Sequence, residues 1–118
     1  MRQAEQLGLG HAILCAERGV GDEPFAVLLA DDFLTQQSAS MKSNVINDLK
    51  NAFKTSGQTQ LSVMQVLGAD ISYYGVIVKG EAPGAVVGLL EKPNFEEAPS
   101  DMASIGRYIL TPDVFDVL

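Results

Sequence analysis

Two apolar runs in this chain end in charge. Phe25-Ala26-Val27-Leu28-Leu29-Ala30 leads into Asp31-Asp32, and a second β-rich run, Ala85 to Leu90, leads into Glu91-Lys92-Pro93 about sixty residues further on. Each reads as a strand that delivers charged groups at its C-terminal end, the edge of an open α/β sheet where ligands collect. Asp31 and Asp32 are of the type that magnesium (Mg²⁺) takes, since that ion is held by one or two carboxylates and completes its shell with water and substrate phosphates. Neighbouring strand side chains point to opposite faces, so one of the two acids would face the crevice. The other reading is an acid that caps a turn or a helix. Glu91 offers an acceptor for hydroxyls and Lys92 a compact cation for phosphate, with Pro93 ending strand pairing directly after them. A solvated strand end is the alternative for that triplet.

Gly8-Leu9-Gly10 could let backbone N–H groups approach a phosphate at a helix N-terminus. Ile13 stands at the third glycine position of the dinucleotide fingerprint and no strand precedes the run, so an ordinary glycine-rich helix entrance is the simpler reading. Such a glycine still lets a flat base lie against the backbone. His11 is the only histidine, which argues against zinc and for a helix-surface or hydrogen-bonded residue. No Gly-x-Ser-x-Gly elbow occurs. Tyr73, Tyr74 and Tyr108 read as packing residues rather than stacking platforms.

The elements that would position these residues alternate between helix and strand patterns. A glycine loop feeds a helix over 8–18, turn residues follow from Gly19 to Pro24, and Phe25 to Ala30 reads as a strand buried on both faces. Met41 to Ser56 places Met41, Val45, Ile46, Leu49, Ala52 and Phe53 on one stripe, with Ser38 or Ser40 as the N-cap and Gly57 as the stop. Leu61 to Leu67 reads as a strand and Ala69 to Gly75 as a turn. Gly75–Lys79 and Ala85–Leu90 suit a hairpin joined by Gly80 to Gly84. A polar segment from Pro93 to Asp101 precedes a last strand, Ile105 to Leu110, and Pro112 opens a helix. The sheet is expected to be mixed.

With 118 residues there is room for one domain, 1–118, and one core. The formal net charge is −7 and the eight basic residues are scattered singly, which argues against a nucleic-acid surface, since that needs clustered cations. Cys15 is the single cysteine, expected to be a buried thiol, and its solitude fits a reducing compartment. No leader pattern opens the chain, and no apolar run reaches the roughly 20 residues needed to cross a bilayer. A cytoplasmic protein is expected.

Taken in order, Gly8-Leu9-Gly10-His11-Ala12-Ile13-Leu14-Cys15-Ala16, Gly21-Asp22-Glu23-Pro24, Val27-Leu28-Leu29-Ala30-Asp31, Tyr74-Gly75-Val76, Glu91-Lys92-Pro93 and Gly106-Arg107-Tyr108-Ile109-Leu110 carry a resemblance. They are similar to the bacterial UTP-glucose-1-phosphate uridylyltransferases, also called UDP-glucose pyrophosphorylases, from about Arg2 to the last residue. The resemblance implies an α/β fold with a Rossmann-like mixed sheet of the nucleotide-diphospho-sugar transferase type, incomplete and limited to its central part. It implies a reaction in which UTP and glucose 1-phosphate give UDP-glucose and pyrophosphate with Mg²⁺. By the same resemblance Gln3 and Gly8 hold the uracil base, Asp31 binds the metal, Gly75 and Glu91 contact the sugar, and Lys92 is the catalytic lysine on the sugar phosphate.

The chain departs from the family pattern in three places. The glycine-rich activation loop is expected before Met1, a further metal-binding aspartate beyond Leu118, and Ala30 stands where relatives often carry Pro or Gly. The expectation is therefore a partial enzyme that takes small-molecule substrates, touches neither nucleic acid nor membrane, and turns over poorly alone. Two rivals remain: a non-catalytic module that self-associates into a homo-oligomer through an open strand edge, and a transferase for another base or sugar.

Overall fold

In a computed structural model, which describes residues 2–32 and 44–118, helices α1 (Leu9–Leu14) and α2 (Glu17–Val20) are followed by strand β1 (Phe25–Leu28) and helix α3 (Val45–Ser56). Strands β2 (Gln60–Gln65), β3 (Gly75–Lys79), β4 (Val86–Glu91) and β5 (Met102–Leu110) come next, with short 3₁₀ turns at Gly68–Tyr73, Phe95–Glu97 and Pro112–Asp116. Two compact units divide the chain. One comprises the described residues of 1–28, 35–60 and 107–118, the other those of 29–34 and 61–106.

In the first unit, the helix expected over 8–18 is two helices. At the junction Ala16 N–H bonds the Ile13 carbonyl and Gly19 N–H the Ala16 carbonyl, both at 2.9 Å. These three-residue spacings tighten the backbone and break the α register, although every side chain there except Gly19 favours or tolerates helix. Helix α2 then runs to Val20, taking Gly19 out of the turn expected for it. Cys15 is half-buried rather than buried.

Strand β1 pairs antiparallel with the end of β5, Phe25 opposite Leu110 and Leu28 opposite Arg107. It stops at Leu28, two residues short of the expected end, and it is not buried on both faces. Phe25 and Val27 are half-buried while Ala26 and Leu28 are exposed, the alternation of a strand with one covered face. On that covered face Phe25 stacks on Phe115, with ring centroids 5.3 Å apart.

Helix α3 buries Leu49 and half-buries Val45, Ile46 and Phe53, so the apolar stripe holds, but Ala52 is exposed. Ser38, Ser40 and Met41 lie outside the described residues. The cap is Asn44, whose Oδ1 accepts from Asn47 N–H at 3.0 Å, a contact worth about 1 kcal/mol. Gly57, at φ 67°, closes the other end by donating its N–H to the Phe53 carbonyl.

The second unit is built on a hairpin of β3 and β4, antiparallel, with Gly75 opposite Glu91 and Val76 opposite Leu90. β3 also pairs antiparallel with β5 at Val76 and Ala103, and β2 pairs with β5. Ile71, Val76 and Ala103 form the buried core, with Val66, Tyr74 and Ala98 packed against it. Tyr74 is thus a packing residue, whereas Tyr73 is 74% exposed and is not. β5 begins three residues earlier than the sequence pattern suggests, because Ala103 is a core residue despite its small side chain.

At the start of β5, Gln65 Nε2 donates to Asp101 Oδ2 at 2.6 Å and Lys79 Nζ lies 3.9 Å from the other carboxylate oxygen. The Gln65 hydrogen bond, assisted by the Asp101 backbone and the Lys79 charge, holds the Asp101 carboxyl below the ordinary carboxylate range. A depressed folded-state value contributes stability that is present above the unfolded value and is lost as pH falls through the folded one. In an NMR titration Asp101 is expected to protonate at lower pH than an unpartnered aspartate, and Gln65→Ala is expected to move it back up.

Candidate functional site

Three of the residues singled out in the sequence meet at one end of the β3–β4 hairpin. Glu91 is the last residue of β4 and lies opposite Gly75, the first of β3. A side chain at position 75 would place its Cβ 3.2 Å from Glu91 Oε2 and 3.2 Å from Leu89 Cδ2. The Glu91 carboxylate therefore occupies space that any residue other than glycine would contest. Glu91 itself is exposed, so its two oxygens remain available as strong acceptors.

Lys92 follows with its N–H donating to the Tyr74 carbonyl at 3.1 Å, which extends the ladder by one bond. Its φ is +43°, and among the described residues it is the only non-glycine residue with positive φ. A lysine held in that region costs about 1 kcal/mol or more and persists where its surroundings fix it. Here the Tyr74 carbonyl holds its N–H and the buried Pro93 follows it. The residue types of this corner are legible in the sequence; the Tyr74 carbonyl and the reversed backbone carry no sequence signal beyond the Lys-Pro junction.

The two aspartates are separated by packing, not by strand alternation. Both lie beyond the end of β1, Asp31 in a turn with Ala30. Asp31 is exposed. Asp32 is half-buried against Gly106, where a built Cβ would fall 2.9 Å from both Cβ and Cγ of the aspartate. Leu29 N–H donates to the Gly106 carbonyl at 2.9 Å, tying the base of this turn to β5. Asp32 and Gly106 thus shape the segment that carries Asp31, a role the sequence reading did not assign to either. Among the described residues no three His, Cys, Asp or Glu side chains gather into a metal-holding group. What the turn offers is one solvent-facing carboxylate, which suits an ion whose remaining ligands are phosphate oxygens and water.

The other pair of predicted residues meets in the first unit. Gln3 Nε2 lies 3.2 Å from the Gly8 carbonyl oxygen and 2.9 Å from His11 Nδ1. Gly8, at φ 92°, is the residue before α1, a conformation that glycine takes freely. His11 is therefore hydrogen-bonded, and Cys15 Sγ stands 3.9 Å from the same ring nitrogen. The bond between Gln3 and His11, eight residues apart, has no sequence periodicity that could have announced it.

The described residues thus form a mixed α/β fold with polar groups gathered at strand ends and turns. The chain belongs to the Nucleotidyl transferase family, which matches it over residues 1–118. It is 44% identical over 121 residues to UTP–glucose-1-phosphate uridylyltransferase YngB of Bacillus subtilis (strain 168), a match that takes in all of this chain and 39% of the relative. Among solved structures it is similar to a UDP-glucose pyrophosphorylase complexed with UDP-glucose, with a TM-score of 0.86 and 40% identity over 99% of this chain and 44% of the other. It is also similar to the UTP-bound UGPase from Acinetobacter baumannii, with a TM-score of 0.89 and 33% identity over 100% of this chain and 42% of the other. The chain spans about two fifths of the length of the curated relatives it matches.

Proposed function

We propose that this chain is part of a nucleotidyltransferase that makes UDP-glucose from UTP and glucose 1-phosphate and releases pyrophosphate. The observation that carries the proposal is the Glu91 carboxylate set over the bare α-carbon of Gly75, with Lys92 next in the chain. A carboxylate seated against a glycine suits vicinal hydroxyls: the acid accepts, and the missing side chain lets the carboxylate take its place at the strand end. The names of the relatives at 40–44% identity support the same substrate class.

In this reaction an oxygen of the sugar phosphate forms a bond to the α-phosphorus of UTP as the bond from that phosphorus to the bridging β-phosphate oxygen breaks. No covalent enzyme intermediate is needed, and the work of the chain is alignment and charge screening. Lys92 orients the attacking phosphate and offsets its charge. Glu91 accepts hydrogen bonds from glucose hydroxyls, Gly75 contacts the sugar and gives that carboxylate its place, and Gln3 and Gly8 hold the uracil. Asp31 supplies one carboxylate ligand for Mg²⁺, which when bound screens the repulsion between phosphate oxygens. The cytoplasm is the compartment proposed, on the strength of the single Cys15. Among the described residues no helix is long and apolar enough to cross a membrane.

Calorimetric titration with UDP-glucose, with and without Mg²⁺, tests the proposal. Wild-type binding is expected to tighten with Mg²⁺, and Asp31→Ala is expected to remove most of that gain while leaving metal-free binding unchanged. A folded chain that takes up no UDP-glucose would sink the proposal.

A second reading, self-association of the same fold into a homo-oligomer, is favoured by exposed apolar side chains on outer strands. Val87 of β4 is 71% exposed and Leu28 of β1 57%. Among the described residues each of these strands has one partner strand and lies at an end of the sheet order, where a second chain can pair. Light scattering at micromolar concentration is expected to report a dimer or larger species, and a monomeric mass would exclude this reading.

A further inference from the structure

We propose that His11 is a positioning residue that fixes which end of the Gln3 amide is presented to the nucleotide base, and so selects an imide base over cytosine. This rests on reading Gln3 as a base contact. The amide orientation follows from the chemistry of its two neighbours. A backbone carbonyl can only accept, so the Gln3 atom 3.2 Å from the Gly8 oxygen must be the donor Nε2. The same nitrogen lies 2.9 Å from His11 Nδ1, which must then accept, placing the ring proton on Nε2 of the histidine.

Both amide hydrogens of Gln3 are thereby engaged. These two bonds use Nε2 alone, which leaves Oε1 as the amide atom for a base to meet. An amide oxygen accepts from the N3–H of an imide base, uracil or thymine. It meets an unprotonated acceptor at N3 of cytosine. Without the His11 acceptor the Gly8 carbonyl alone would hold one hydrogen, the amide would swing about that contact, and the distinction would weaken. A site that presents one pattern of donors and acceptors disfavours the inverted pattern, because an acceptor set against an acceptor loses the hydrogen bond each makes with water.

The test compares UDP-glucose with CDP-glucose by calorimetry on the wild-type chain, His11→Phe and His11→Asn. Wild type is expected to prefer UDP-glucose. His11→Phe is expected to reduce that preference about tenfold, the size of one lost hydrogen bond, and His11→Asn to restore most of it through an Oδ1 that can accept. A purely structural role for His11 would weaken both ligands alike and leave the ratio unchanged. Retained UDP-glucose binding with an unchanged ratio in His11→Phe therefore overturns this inference alone. No UDP-glucose binding by folded wild type overturns the proposed function and this inference with it. Because His11→Phe could fail to fold, the ring tautomer of wild-type His11 is measured independently by nitrogen-15 NMR without nucleotide: a neutral ring protonated on Nε2 supports the assignment, and one protonated on Nδ1 overturns it.

Discussion

Gly106→Ala is expected to destabilise the protein by about 3 kcal/mol, read as a lower urea midpoint with an unchanged slope. Two effects combine. Gly106 has φ 71°, and an L-residue held there costs about 1–2 kcal/mol. The added Cβ would also run into Asp32, against Oδ2 first and then 2.9 Å from both Cβ and Cγ, closer than real carbon contacts allow, and Cβ cannot swing away without moving the backbone. Crowding of this kind costs about 1–3 kcal/mol. Gly84→Ala separates the two, since Gly84 has φ 77° and nothing within 4 Å of a built Cβ, so it carries the backbone cost alone. If Gly106→Ala proves no worse than Gly84→Ala, Asp32 is not seated on that glycine. The consequence extends to function, because Leu29 bonds the Gly106 carbonyl and the displaced turn is the one that carries Asp31.

The pattern of the sequence was most legible where local signals agree. Strand β3 falls on the residues expected, and α3 ends at Gly57 as its composition demands. Reading failed where backbone bonding overrides side-chain preference: Cys15 and Ala16 are ordinary helix residues, yet three-residue bonds divide α1 from α2 there. It also failed where a small residue does the work of a large one, as Ala103 does in the core of β5.

The candidate site shows the same division. Glu91 and Lys92 were visible as charge after an apolar run, and their register with Gly75 follows from the hairpin. Asp31 and Asp32 were visible as a pair of which one would face the crevice, but the cause of their division was not, because the strand ends before them and alternation no longer applies. Asp32 and Gly106 are separated by more than seventy positions in the chain, and their contact depends on the fold. The bond from Gln3 to His11 belongs to the same class, since an irregular entrance to a helix has no period from which to read it.

Glu91→Ala is expected to weaken UDP-glucose binding about 100-fold while leaving the urea midpoint where it is. Hydrogen bonds to a charged acceptor contribute about 1.5–3 kcal/mol each, and loss of about 2.7 kcal/mol is a hundredfold in affinity. Glu91 is exposed, so the free protein loses no core packing when it is removed. Gly75→Ala probes the same corner from the opposite strand. Its Cβ would stand 3.2 Å from Oε2 of Glu91 and 3.2 Å from Leu89 Cδ2, too close for comfort but against two side chains that are each exposed and able to shift. The carboxylate is then displaced rather than deleted, and about a tenfold loss is expected, with glucose 1-phosphate affected as strongly as UDP-glucose because both present the same sugar. In Glu91→Ala, the extra loss from Gly75→Ala is expected to shrink, since no carboxylate remains to be moved, and a double-mutant cycle on the binding free energies measures that coupling. Fully additive losses would mean that Gly75 acts on the ligand without Glu91, and equal losses of UDP and UDP-glucose in Glu91→Ala would mean that the carboxylate does not serve the sugar.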